Sequence, residues 1–517
     1  MSPVWYILAF NSLVHVQALD PEPLPGLRRV LVLARHGNRA PNPQVRVVCP
    51  RFVPILEQFG VAPAALSRVG MSENEENGIF LRHRYKDFLP EGHYLYDGTY
   101  AFFSEREERN IVSTAAMARG MFPPGTGLEG FAPERPNIVP IGTTQDGADV
   151  IMNCPRDGPC THALKKDKAS WAEKHEARLY RKHKELFKTV SLACGYDLKP
   201  GNIIYKGKSK DLFWALKAVM DAFLFSRNEG LDSTMGGRID EPTINEFNSL
   251  VNKYLSDQIY GKPHQLTYWT GDFIPTFLSL AQMPLHEPVN KLHVFLNHRE
   301  LLYATAHILG IPIQFPGLDN DALPSGSSLI MEVYDEGVRM FFWAPSQPSF
   351  EQKAQYMSSG RPMRDLFLRG SLLPAHPQAC PTFGLCPVQA LASTFVNFVH
   401  ITGTYVKICN VSKHDTYFAK GEASLGLLEH WVEPSLLSFI PKHISQPASE
   451  KGSASSELDA RATSSDLGRA LEPRLGEQSS IYVLACGSLV LSLTSGYLGW
   501  YLGRRSGQSG SQYHIMA

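Results

Sequence analysis

Val30-Leu31-Val32-Leu33-Ala34-Arg35-His36-Gly37-Asn38-Arg39-Ala40-Pro41 joins an unbroken apolar run to a cluster of charge. A run of that kind suits a strand buried on both faces of a parallel sheet. In open α/β sheets, ligands bind just beyond the carboxyl ends of the strands, which is where the cluster falls. Gly37 lets the backbone pass close to a ligand. Arg35 and Arg39 carry forked donors that match phosphate oxygens. His36, between them, is a nucleophile able to carry a phosphoryl group.

A second stretch repeats the layout. Leu292-His293-Val294-Phe295-Leu296 is compact and apolar, and Asn297-His298-Arg299-Glu300 follows it. Glu300 to Leu309 reads as a helix closed by Gly310. Two histidines at the ends of two buried strands can converge on one phosphate. Glu300, at the helix start, would then be near enough to protonate a leaving oxygen. Ser328–Tyr334 and Val338–Trp343 flank Asp335-Glu336-Gly337 as a hairpin. Residues 61–89 and 104–122 have helical spacing, and 165–188 form a highly charged helix. Residues 150–275 read as mostly helical, an inserted cap. Strands alternating with helices predict an α/β core, a mainly parallel sheet with helices on both faces.

The chain has 517 residues, long enough for a large domain with an insertion. Lys+Arg and Asp+Glu are both 50, so no global field points to nucleic acid or a membrane surface. Any attraction for an anionic substrate is therefore local. The N-terminus is apolar from Val4 to Val16 and ends in Val16-Gln17-Ala18, which suits a signal peptide over 1–18. Residues 19–442 read as the folded domain. Residues 443–478 are rich in Ser, Ala and Gly and read as a low-complexity stalk. Ile481–Leu502 is apolar and about 20 residues long, a transmembrane helix within 479–503. Arg504 and Arg505 then favour a cytosolic tail over 504–517. These features predict a single-pass type I membrane protein with the folded part lumenal or extracellular, endosomal, lysosomal or at the cell surface. Tyr513-His514-Ile515-Met516 resembles a tyrosine-based endosomal sorting signal. Seven cysteines precede the span: Cys49, Cys154, Cys160, Cys194, Cys380, Cys386 and Cys409. An oxidising compartment allows three disulfides and one thiol among them, with the pairing open. Asn410-Val411-Ser412 is a glycosylation sequon.

Arg35-His36-Gly37-Asn38-Arg39-Ala40-Pro41 matches Arg-His-Gly-x-Arg-x-Pro, and the chain resembles the histidine acid phosphatases, branch two of the histidine phosphatase superfamily. The resemblance runs over most of 28–410. It includes Leu66-Ser67 through Gly70, Leu81-Arg82-His83-Arg84-Tyr85, Phe122-Pro123-Pro124, Cys154-Pro155-Arg156 and Thr270-Gly271-Asp272-Phe273. The Cys380/Cys386 pair, followed by Pro387-Val388, also has counterparts there. It implies a Rossmann-like α/β domain with a helical cap and a phosphohistidine intermediate on His36. It also implies phosphate binding by Arg35, Arg39 and His298. Arg109 matches the later arginine of a further family motif. Phe103 stands where that motif carries an earlier arginine, expected to bind phosphate. Arg299 stands where many members carry an aspartate donor, and Glu300 fits the version with the acid one residue later.

The expected function is a phosphomonoesterase, an acid phosphatase acting on small phosphate monoesters. No metal or organic cofactor is implied, because arginines supply the charge stabilisation. Phe103 and Arg299 favour the alternative, a catalytically weak receptor or adaptor that binds phosphorylated ligands. A phosphoglycerate-mutase-type transferase fits the signal peptide and span poorly.

Overall fold

Alternate residues of strand β1 (Arg29–Arg35) enter two different cores. Leu31 and Leu33 pack on one face of the sheet, and Val30, Val32 and Ala34 on the other. This is why the run contains no polar position before Arg35: both faces are covered, and each buried Val or Leu contributes about 1.5–3 kcal/mol. The computed structural model describes residues 22–89, 98–127, 134, 137–143, 151–282, 291–316, 318, 322–346, 348, 350–359, 370–380 and 384–410. All of these lie in one compact unit, Met1–Ala448.

Six more strands complete the main sheet: β2 (Tyr100–Ser104), β3 (Ile141–Thr143), β4 (Leu292–Asn297), β5 (Ser328–Val333), β6 (Val338–Ala344) and β7 (Ser371–Pro374). Their order is β3-β2-β4-β1-β5-β6-β7. The pairs β3–β2, β2–β4 and β4–β1 are parallel, whereas β1–β5, β5–β6 and β6–β7 are antiparallel. The sheet is therefore parallel across its first four strands and antiparallel beyond β1. The expected hairpin supplies β5 and β6, with Gly337 in the turn at φ 154°.

Helices α1 (Arg68–Arg84) and α2 (Glu108–Met121) cover one face, through Leu81, Met117 and Met121. The other face carries helices over Phe273–Gln282, Arg299–Ile308 and Val388–Thr402. Between residues 151 and 282 the chain is helical apart from a two-stranded ribbon at Ile204–Tyr205 and Lys208–Ser209. The charged helix expected at 165–188 runs instead over Thr161–Lys182, breaks at His183, and resumes as Lys184–Cys194. The helix expected from 104 begins at Glu108, because Tyr100–Ser104 is a strand with Phe102 paired to Val294.

Three disulfides form: Cys49–Cys194, Cys160–Cys409 and Cys380–Cys386, with Cys154 buried outside them. The first two close loops of 145 and 249 residues. Cross-links over loops that long are worth about 5 kcal/mol each if chain entropy dominates. No helix among the described residues is long and apolar enough to cross a membrane. The expected signal peptide, stalk, span and tail lie outside the described residues.

Candidate active site

Strands β1 and β4 run side by side in register, with Arg35 opposite Asn297. The next residue of each is a histidine. His36 N–H donates to the Asn297 carbonyl at 2.9 Å, so the two strand ends leave the sheet together. The His36 and His298 rings meet edge to face, with centroids 5.2 Å apart. The expected convergence of the two motifs is what the backbone produces.

The turn after His36 is fixed by close approach to helix α1. A Cβ on Gly37 would lie 2.2 Å from the Gly70 carbonyl oxygen, and one on Gly70 would lie 1.9 Å from the Asn38 carbonyl oxygen. Only glycine at both positions allows that contact. Asn38 secures the turn with its backbone N–H to Glu73 at 2.7 Å.

His36 Nδ1 lies 2.8 Å from the Gly37 carbonyl. A carbonyl only accepts, so Nδ1 carries the proton and Nε2 keeps its lone pair. Burial pushes the His36 imidazole well below the usual histidine range, and Arg109, His298, Arg35 and Arg39 push it further the same way. A neutral imidazole with a free Nε2 is the form that can attack phosphorus.

Three guanidinium groups surround this ring. Arg35 donates to the Leu323 carbonyl. Arg39 donates to Ala40 O at 3.1 Å and Asn42 Oδ1 at 3.2 Å through one terminal nitrogen, and to Asp221 at 3.2 Å through the other. Arg109 pairs with Glu107. In each, the Nε–H is buried and has no acceptor among the described residues. Buried donors of this kind are rare and costly unless something fills them. Burial lowers Arg35 and Arg109 to about 10, so all three stay cationic in neutral and acid solution. Phe103, where the resemblance led us to expect an arginine, stacks on Phe295 at 5.4 Å and is 39% exposed. The cation beside His36 comes from Arg109, the second residue of α2.

His298 has a different setting. Its Nε2 lies 3.2 Å from Asn110 Nδ2, 3.3 Å from Glu105 Oε2 and 3.4 Å from Arg156 Nη1. Burial and then Arg156 lower its pKa, while the hydrogen bond to Glu105 opposes them. Burial would raise Glu105, but His298, the Glu107 N–H and Asn110 bring it down to about 2. Glu105, Glu107 and His298 are the one grouping among the described residues whose possible metal-ligand atoms lie within 4.8 Å of one another. Their atoms are already taken up: Glu107 by Arg109 and Arg156, and Glu105 by Asn110 and Asn153.

Glu300 opens the helix Arg299–Ile308 and is buried. Burial would raise its carboxyl. Arg299, Lys217, His298 and Arg156 outweigh it and hold the group well below the usual range. Lys217 Nζ is 3.8 Å and Arg299 Nε 3.7 Å from Glu300 Oε1. Glu300 is ionised in this resting site.

All six residues expected from the sequence thus fall in one buried cluster. Glu105, Arg156, Lys217 and Asp221 join it without having been singled out for a role there. Arg156 could have been suspected from Cys154-Pro155-Arg156, whereas Lys217 and Asp221 gave no signal.

Residues 26–189 match the histidine phosphatase superfamily (branch 2). No curated protein matches the sequence. Among solved structures, the Klebsiella sp. ASR1 phytase is 17% identical with a TM-score of 0.54, over 75% of this chain and 98% of that one. The Hafnia alvei phytase in complex with tartrate is 18% identical with a TM-score of 0.53, over 80% and 98%. The Citrobacter braakii phytase is 16% identical with a TM-score of 0.52, over 75% and 100%. At these identities the likeness is one of fold.

Proposed function

We propose that this protein is a phosphomonoester hydrolase acting through a phosphohistidine on His36, with Glu300 as proton donor. The observation that carries the reading is the set of three buried, unfilled guanidinium N–H groups around a neutral imidazole whose Nε2 is free. That arrangement suits a tetrahedral anion and a nucleophile in line with it. His36 Nε2 attacks phosphorus as the ester P–O bond breaks. The leaving oxygen takes a proton from Glu300, and water then attacks phosphorus as the P–N bond to His36 breaks, returning its proton to the Glu300 carboxylate. Arg35, Arg39, Arg109 and His298 hold the phosphate oxygens throughout.

Glu300 needs a proton that the resting site denies it. A substrate phosphate adds negative charge among the same cations and so raises the carboxyl toward protonation. Acid solution favours the same form, which makes an acid optimum the expected profile. The low pKa of His36 lets it stay neutral there. Hydrolysis of para-nitrophenyl phosphate from pH 4 to 8 tests the reading, together with acid-labile, base-stable label on His36 after quench with labelled substrate. Turnover without such label, and normal turnover in His36→Ala, excludes the phosphohistidine route.

The alternative is a phosphate-binding receptor or adaptor. One observation favours it: Glu300 is so strongly paired with cations that it enters the reaction as a carboxylate. Phosphate binding without turnover at any pH would establish it. From the sequence, we also propose type I topology with residues 150–275 as the cap. Three disulfides support an oxidising compartment. An unmodified Asn410 after synthesis with microsomes would count against a lumenal domain.

A further inference from the structure

One helix, Leu212–Glu229, carries four residues spaced four apart that reach both strand ends: Lys217, Asp221, Phe225 and Glu229. Residues at that spacing lie on one face, each above the last. Lys217 approaches Glu300 at 3.8 Å. Asp221 receives the hydrogen bond from Arg39 at 3.2 Å, with both side chains almost wholly buried. The Phe225 ring lies 4.4 Å under the Arg39 guanidinium, and its carbonyl accepts from Asn38 Nδ2 at 3.2 Å. Glu229 accepts from the same Asn38 amide at 2.9 Å. The helix is otherwise apolar as far as Phe225, and Phe213 and Phe223 anchor it against Trp171, Phe52 and Phe247.

We propose that Asp221 is a positioning residue for the reaction, aiming Arg39 at the phosphate; this rests on the hydrolase reading above. The guanidinium is planar, so its direction is set by what grips its ends. Asn42 and the Ala40 carbonyl hold one terminal nitrogen and Asp221 holds the other, while Phe225 fixes the plane. The Nε edge is left as the open donor. Asp221 sits nowhere near the chain position of Arg39, and nothing else among the described residues accepts from that second terminal nitrogen.

A bound anion and a transition-state mimic respond differently to lost aim. Asp221→Asn keeps the shape and removes a negative charge close to the anion. Inorganic phosphate, a tetrahedral ground-state anion, should bind as well as before or tighter. Vanadate, which takes up the five-coordinate geometry of the transferring group, needs the donors in their places. Its affinity should fall at least about tenfold, the worth of one well-aimed charge-assisted hydrogen bond, and kcat should fall in step. Titration calorimetry of both anions on the full chain reads this split without needing turnover. Glu229→Gln is the comparison: it should lower Tm and leave the vanadate-to-phosphate ratio unchanged. If Asp221→Asn does not fold, Phe225→Leu loosens the same guanidinium and should give a smaller split of the same sign. Equal weakening of both anions, or no change in either, overturns the proposal. If Asp221→Asn gives this split but the wild type hydrolyses no phosphomonoester, the hydrolase reading is refuted and the aiming of Arg39 at a bound anion stands.

Discussion

The two strand ends of the site deliver the same residue into opposite electrostatic settings. At the end of β1, His36 has three guanidinium groups, the His298 ring and its own loop carbonyl around it, so it is neutral with one lone pair free. At the end of β4, His298 has a buried carboxylate against Nε2, and Glu300 two residues on is gripped by Arg299 and Lys217. On the proposed hydrolase reading, the difference divides the work: the first end attacks, and the second holds anionic oxygens and handles the proton. A shared place at the end of a buried strand therefore does not settle chemistry. The charges brought up by helix α2 and by Leu212–Glu229 do.

Removing His36 breaks the comparison most completely. His36→Ala deletes the nucleophile, and hydrolysis of para-nitrophenyl phosphate should fall at least about 10⁴-fold with no trappable label. Retained turnover would transfer the nucleophile's role elsewhere, with His298 the first candidate to examine by the same quench.

Glu300→Gln should act on the second end alone. Hydrolysis of alkyl phosphates should drop by about a hundredfold to ten-thousandfold, the usual worth of general acid catalysis. Para-nitrophenyl phosphate, whose leaving group needs no proton, should be spared. The pH dependence sharpens this. In the free protein Glu300 is held below its ordinary value, so the protonated fraction falls as pH rises through the acid range, and kcat/KM on alkyl phosphates should fall with it. The acid-side limb, set by protonation of His36, should lie below the ordinary histidine value. A limb near pH 6.5 would show that the surrounding arginines do not depress His36.

Arg109→Ala removes the strongest cation acting on His36 after burial. It should cost roughly 10²- to 10³-fold in kcat, the scale of one lost transition-state donor, and move the acid limb upward because a neighbouring positive charge has gone. Phe103→Ala should do neither, since Phe103 packs on Phe295.

What could be read from the sequence follows from how local each feature is. His36 and His298 stand directly after apolar runs, so strand and site come in one stretch. The antiparallel half of the sheet showed only as the hairpin at 328–343, and its attachment to β1 left no local trace. Tyr100–Ser104 escaped because it is only five residues long and its last residue falls in the helical spacing of 104–122. Lys217 and Asp221 sit in a helix whose composition explains itself as packing. Their role exists only because the fold brings them against Arg39 and Glu300, more than 75 residues away on either side. Glu105 and Glu107 read as part of the helix expected over 104–122, and the partner they find in His298 comes from the end of a strand nearly two hundred residues on.

The smallest expected effect concerns Glu105, and it tests whether the second end holds two jobs or one. Glu105 is fully buried and ionised, with its carboxyl at about 2, so it stays charged through the whole acid working range. Glu105→Gln keeps the size and can still accept from Asn153 while removing the charge that faces His298 Nε2. His298 is already pushed below the usual histidine range, and losing the Glu105 charge pushes it further the same way, toward the neutral ring. What changes is the aim of the ring, since Asn110 and Arg156 remain as its neighbours. The cost should be on the order of tenfold in kcat/KM, about the 1.4 kcal/mol of one charge-assisted hydrogen bond. That cost should be equal for alkyl and aryl phosphates, because an oxygen-holding group serves every leaving group alike. Glu300→Gln separates the two substrate types and Glu105→Gln should not. If Glu105→Gln also discriminated between them, Glu105 would share the proton with Glu300 through His298, and the second strand end would be a relay rather than a clamp beside a donor.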